Sequence, residues 1–211
     1  MGMKYIVTDM RKSKFLHEMQ DVKREKVGGG NGVNIYPDVK YQTIKGFGGA
    51  FTEAAGYNFS NLSDGKKKEI IEAYFGKTGI GYTLCRTHIN SCDFALGNYA
   101  YTDESDTELE NFNRDRDRKY IVPFIHAAQK ASENPIKFLA SPWSPPDFMK
   151  TNVEMNNGGK LKDEYRQLWA NYIAKYIIDC KNDGIDISML TVQNEPEATQ
   201  TWDSCRYNAQ E

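Results

Sequence analysis

A strand-like run followed by a helix-like run recurs along this chain of 211 residues, and that alternation constrains the fold more than any other feature. Strand-like runs stand at 43–50, 81–89, 136–140 and 190–192, ending in glycines or in polar residues. Between them, apolar residues recur every three or four positions, the period of a helix. Ser63 suits the cap of a helix through Ile70, Ile71, Tyr74 and Phe75, closed by Gly76. A second helix carries Ile121, Phe124, Ile125 and Ala128 on one face, with Pro123 expected near its first turn. The third is the clearest, because Leu161, Tyr165, Leu168, Trp169, Tyr172, Ile173, Tyr176 and Ile177 make one broad apolar stripe. Asn182-Asp183-Gly184 ends it, and Trp169 with its neighbouring tyrosines is assigned to the core.

Alternation of this kind, with short connections, calls for parallel βα units. The expected class is α/β, a partial (β/α)8 TIM barrel of about four units, since the whole barrel usually takes ~250 residues. Residues 42–211 are read as its first half. A fourth helix is expected to begin about where Glu211 stands, which would leave outer strands with open edges and a tendency to self-associate through them. Residues 1–41 are read as a separate β segment of an accessory β-domain, with short strands at Tyr5-Ile6-Val7 and Val33-Asn34-Ile35-Tyr36. Gly28-Gly29-Gly30-Asn31-Gly32 between them follows no clear strand and opens no helix, so a phosphate-binding loop is not expected there. Gly76-Lys77-Thr78 looks like the tail of a phosphate loop, but it closes a helix instead of opening one.

A formal charge of -2 with 27% charged residues points away from nucleic acid and from anionic membranes as main partners. No run approaches the ~20 apolar residues of a membrane span. The start, Met1-Gly2-Met3-Lys4-Tyr5, lacks the apolar core of a signal peptide. A cytoplasmic location is the expectation, or secretion if the true N-terminus lies upstream. The acceptor patterns Asn58-Phe59-Ser60 and Asn61-Leu62-Ser63 are therefore expected to stay unglycosylated. Cys85, Cys92, Cys180 and Cys205 are too few and too scattered for a disulfide framework. Cys85-x-x-His88-x-x-x-Cys92 lacks a fourth zinc ligand at metal-site spacing, and neither metal nor cofactor is expected. The aspartate-rich stretch at 98–118 reads most simply as a solvated surface.

The chemistry gathers at the strand ends: Gly46-Phe47-Gly48-Gly49, then Arg86 with Asp93, then Trp143, then Asn194-Glu195 before Pro196. In barrels built from βα units, the carboxyl ends of the strands form the catalytic rim. An aspartate can accept from sugar hydroxyls, and a tryptophan offers a flat face to C–H groups. Arginine's planar fork orients a carboxylate. A glutamic acid in a partly desolvated pocket can deliver a proton to a leaving oxygen. An isolated Asn-Glu-Pro is most simply a capped strand end; its upstream company is what points to a site.

Four strings, GFGGAFTEAAGYNF (46–59), CRTHINSCDF (85–94), ASPWSPPDFMKTN (140–152) and VQNEP (192–196), resemble glycoside hydrolase family 30, the glucosylceramidase-like retaining β-glycosidases. The resemblance runs from about Tyr41 onward and is weaker before it. It implies that Glu195 is the general acid/base and that Asn194 bonds the sugar 2-hydroxyl. It implies that Asp93 and Trp143 bind outer hydroxyls of the sugar, that Arg86 supports the catalytic carboxylates, and that Phe94 shapes the pocket. Trp202 is placed toward the leaving group. The family's nucleophilic glutamate stands at the end of a seventh strand, outside these four units. Two expectations follow. One is the N-terminal, acid/base half of a retaining β-glycosidase whose carbohydrate or glycolipid substrate is a β-glucoside or glucosylceramide-like lipid, a β-xyloside or a β-glucan; the other is a non-catalytic carbohydrate-binding or pseudoenzyme piece.

Overall fold

The computed structural model describes residues 5–19 and 33–211. The chain divides into two compact units, Met1–Thr43 and Ile44–Glu211. The glycine-rich turn at 28–32 lies outside the described residues.

In the first unit, β1 (Ile6–Asp9) pairs antiparallel with β2 (Lys14–Glu18), in the register Ile6 to Glu18 and Val7 to His17. The Asp9 side chain accepts from Arg11 N and caps the tight turn between them. β1 fulfils the expectation for Tyr5-Ile6-Val7, shifted by a residue. β2 was hidden in a charged stretch, because only Phe15 and Leu16 mark it as a strand. Val33-Asn34-Ile35-Tyr36, expected as a strand, is irregular. Pro37 follows it and cannot donate to a ladder, and Val39 N closes a turn on Tyr36 O at 3.1 Å.

The second unit is built on a four-stranded sheet in the order β3 (Ala50–Phe51), β4 (Leu84–Ile89), β5 (Lys137–Pro142), β6 (Ile187–Leu190). All three pairings are parallel and sequential neighbours lie side by side, the order that βα units take when they begin a barrel. Helices α1 (Glu53–Ser60) and α2 (Asp64–Phe75) cross from β3 to β4. Helix α3 (Asp115–Ala131) crosses from β4 to β5, and α4 (Arg166–Asn182) from β5 to β6. The core between sheet and helices includes Phe51, Ile89, Ile125, Phe138, Tyr172 and Tyr176. Among the described residues β3 and β6 are edges, and closure into a full barrel is not seen.

Several elements depart from the sequence reading. The run at 43–50 holds only the start of β3, and its glycines instead lie against β4. Phe47 O accepts from Thr83 N and Leu84 N, and a Cβ on Gly48 would stand 1.7 Å from Leu84 O. Helix α1 was not anticipated, although Thr52 caps it through Ala55 N. Ser63 does cap α2, and Gly76 follows its last residue. Pro123 lies well inside the 17 residues of α3 because the helix begins earlier, at Asp115. β6 ends before Thr191, whose N–H still reaches Ala140 O at 3.0 Å.

The stretch at 98–118 is not simply solvated. Arg114 is 2% exposed and Asp106 and Asp117 are buried. The Asp117 carboxylate accepts from Tyr99 Oη, Tyr101 Oη and Arg114 Nε, so a buried charge finds three donors. Asp183, at the end of α4, takes Arg114 Nη1 at 3.1 Å. The charge run therefore pins α3 to α4.

Candidate active site

The C-terminal ends of β4, β5 and β6 converge on Arg86. Its Nε donates to Ser141 Oγ at 3.0 Å and its Nη2 to Asn194 Oδ1 at 2.7 Å. The guanidinium carbon stands 4.5 Å from the centroid of the Trp143 ring, a cation–π distance. One face of Trp143 is thus occupied by protein. Thr191 Oγ1 donates to Ser141 Oγ at 2.7 Å, completing a bridge across three strands.

Because Asn194 Oδ1 is held by Arg86, its amide nitrogen turns outward as a donor, 3.4 Å from Glu195 Oε2. Asn194 N also bonds Pro142 O at 2.8 Å, which fastens the end of β6 to the end of β5. Burial pushes the Arg86 pKa down, while the charges of Asp93 and Glu195 act in the opposite direction. Arginine stays protonated under either influence. The result is one half-buried cation flanked by two exposed carboxylates.

The six residues singled out from the sequence are not equally gathered. Arg86, Trp143, Asn194 and Glu195 form one connected string. Asp93 is exposed on the loop after β4 and enters through its charge on Arg86. Phe94 is 61% exposed, and its carbonyl accepts from Ala54 N at the start of α1. Trp202 lies further along the chain with its side chain partly exposed. Sequence reasoning passed over Ser141, Thr191 and Gln193. Ser141 and Gln193 sit inside the quoted strings and Thr191 directly before the last of them, but a strand alternation says nothing of which hydroxyl or amide will bridge two strands.

No group of three or more His, Cys, Asp or Glu side chains stands ready to hold a metal among the described residues. His88 has both ring nitrogens engaged: Nε2 accepts from Glu53 N at 3.1 Å, and Nδ1 bonds Asn90 O at 2.5 Å. Burial pushes the Cys92 thiol up to about 12, so it stands protonated at neutral pH.

Residues 44–207 match the TIM-barrel domain of glycosyl hydrolase family 30. The chain belongs to that family. It is 38% identical over 183 residues to the lysosomal acid glucosylceramidase of Mus musculus, covering 84% of this chain and 36% of the mouse protein. It is 33% identical over 174 residues to the endo-1,6-β-D-glucanase neg1 of Aspergillus fumigatus, covering 74% of this chain and 35% of that protein. Among solved structures, SrfJ from Salmonella typhimurium superposes with a TM-score of 0.88 at 41% identity, covering 98% of this chain and 46% of that one. The endo-β-1,6-glucanase BT3312 superposes with a TM-score of 0.79 at 28% identity, over 94% and 44% of the two chains. The family-30 chain thus spans 36% of its mouse relative and 46% of SrfJ, and its sheet is the opening part of the family's TIM barrel.

Proposed function

We propose that this family-30 chain carries the acid/base side of a retaining β-glycosidase, with Glu195 as proton donor and then base. The observation that supports the reading is the string Arg86–Asn194–Glu195, held by two hydrogen bonds that link β4 to the chain after β6, across β5. Arg86 orients Asn194 so that Nδ2, which turns one hydrogen toward Glu195 Oε2, keeps its second for a sugar 2-hydroxyl beside the bond to be cleaved. Glu195 protonates the leaving oxygen, then takes a proton from the water that releases the sugar. The attacking carboxylate must stand roughly 5–5.5 Å from Glu195. Asp93 is not that group in this reading, since it faces hydroxyls. In the family resemblance the nucleophile comes from a later strand. Asp93 and Trp143 hold the sugar, and Phe94 borders it. Relatives named glucosylceramidase and endo-1,6-β-glucanase favour a β-glucoside as substrate.

The reading is tested with residues 1–211 beside a version extended to the length of the relatives. The extended protein should hydrolyse a nitrophenyl β-glucoside, and Glu195→Gln should lower kcat by about 10²–10⁴-fold, the usual share of positioned proton transfer. Residues 1–211 alone should show no turnover. Clear turnover by the short form, abolished by Glu195→Gln, would mean that a second carboxylate lies within it. Calorimetric sugar binding with no turnover by the extended form would favour a non-catalytic binding protein.

A further inference from the structure

Gln193 is 8% exposed and precedes Asn194-Glu195 directly. Its side-chain nitrogen donates twice, to Trp143 O at 2.7 Å and to Asn194 O at 2.9 Å. Both partners are carbonyls, which accept only, so the orientation of this amide is determined. Its Oε1 has no hydrogen-bond partner among the described residues. The Asn194 carbonyl belongs to the peptide that leads into Glu195. The Trp143 carbonyl belongs to the chain just beyond β5. One NH2 group therefore joins the two strand ends that carry the aromatic ring and the carboxylic acid.

Glu195 needs such support. Its φ is 46°, in the left-handed region that residues other than glycine seldom adopt. It also precedes Pro196, and helical backbone is disfavoured in the residue before a proline. A residue in that state persists only where its surroundings over-determine it, and such residues cluster at functional sites. Here the surroundings are Asn194 N on Pro142 O at 2.8 Å, Ala198 N on Glu195 O at 2.9 Å, and the Gln193 amide on Asn194 O. The first two bonds are backbone to backbone. Gln193 supplies the side chain of the set.

We propose that Gln193 is a positioning residue: its amide holds the Asn194–Glu195 peptide in the left-handed turn that aims the Glu195 carboxyl, and locks Trp143 beside it. The kinetic consequence rests on the reading of Glu195 as acid/base; the geometric one does not.

Two variants separate the amide from its bulk. Gln193→Met keeps the length and removes both donors. Gln193→Glu keeps the shape but sets a carboxylate against two carbonyls, and on protonation regains one donor. In labelled residues 1–211, the intraresidue HN–Hα NOE of Glu195 should be strong, as a positive φ requires. It should weaken in Gln193→Met, weaken in Gln193→Glu at neutral pH, and recover in Gln193→Glu as the pH is lowered. An unchanged NOE in both folded variants overturns the proposal, and so does a spectrum unfolded throughout in both, which would make Gln193 a residue of the fold alone. In the extended protein, Gln193→Met should lower kcat by about 10²-fold, the cost of a misplacement near 1 Å, with KM little changed. A raised KM at constant kcat overturns it as well. If Glu195→Gln leaves activity intact, the functional reading fails while the NOE result stands.

Discussion

Arg86 holds three neighbours at once: the Ser141 hydroxyl, the Asn194 amide and one face of Trp143. Each contact is ordinary, but together they decide which atoms of the rim remain for a ligand. The two tryptophans differ for the same reason. Trp143 stands half-buried at a strand end, while Trp169 is 4% exposed and packs at 5.1 Å from the Tyr172 ring. Trp169→Ala should lower folding stability by about 3–5 kcal/mol, as expected for a buried large-to-small change. Trp143→Ala should leave the fold largely intact and weaken β-glucoside binding in the extended protein. Denaturant melts of both variants, with calorimetry on the second, decide the matter. The assignment of the two rings is reversed if Trp143→Ala unfolds the protein and Trp169→Ala does not.

Two glycines at element boundaries show how differently the same residue type can be used. Gly48 brings the chain before β3 against β4, where an added Cβ would meet Leu84 O at 1.7 Å. That neighbour is backbone and cannot swing away. Gly48→Ala should therefore cost at least the ~1–3 kcal/mol typical of overpacking, with β3 displaced from β4. Gly65, in the first turn of α2, has nothing among the described residues within 4 Å of the same position. Gly65→Ala should instead stabilise, by up to about 1 kcal/mol, because alanine loses less backbone entropy on entering a helix. Equilibrium unfolding of the pair would show opposite signs. If both variants destabilise equally, the close approach at Gly48 is not what matters.

Across the whole molecule, buried protons set the response to alkali. Burial raises the pKa of the thiols of Cys85, Cys92, Cys180 and Cys205 above their usual 9.0. It likewise raises the phenols of Tyr99, Tyr101, Tyr172 and Tyr176 above 10.0, with the Asp117 charge adding to it. The folded state holds these protons more tightly than the unfolded chain does. Their contribution is complete below pH ~9 and is lost as the pH rises through the raised values. Lys150 acts oppositely: burial brings it down to about 8 from 10.5, so between those values it adds stability as the pH rises. These eight groups and the Tyr207 phenol, raised by burial in the same way, stand against Lys150 and predict a lower denaturant midpoint at pH 10 than at pH 7, measured with the thiols kept reduced. A higher midpoint at pH 10 would mean that Lys150 dominates.

The sequence by itself determined the class of fold and pointed to four residues, Arg86, Trp143, Asn194 and Glu195, that the structure brings into one string. Helical period in α4, a cap at Ser63 and strand-like runs between helices are local properties, and they survive into the structure because tertiary packing agrees with them. Strand ends could be aligned for a similar reason, since parallel units place their C-terminal ends on one side. Other features were decided only by tertiary structure. A hairpin strand at Lys14–Glu18 exists because Ile6–Asp9 pairs with it, and Val33-Asn34-Ile35-Tyr36 stays irregular although its composition suits a strand. Asp117 and Arg114 read as surface charges until the loop before α3 folds Tyr99 and Tyr101 onto Asp117 and the Asp183 carboxylate at the end of α4 meets Arg114. Gln193 stands just past the strand-like run at 190–192 with no signal of its own. Its role depends on a carbonyl fifty residues upstream, 2.7 Å away, and on a backbone angle at Glu195 that no pattern of residue types records.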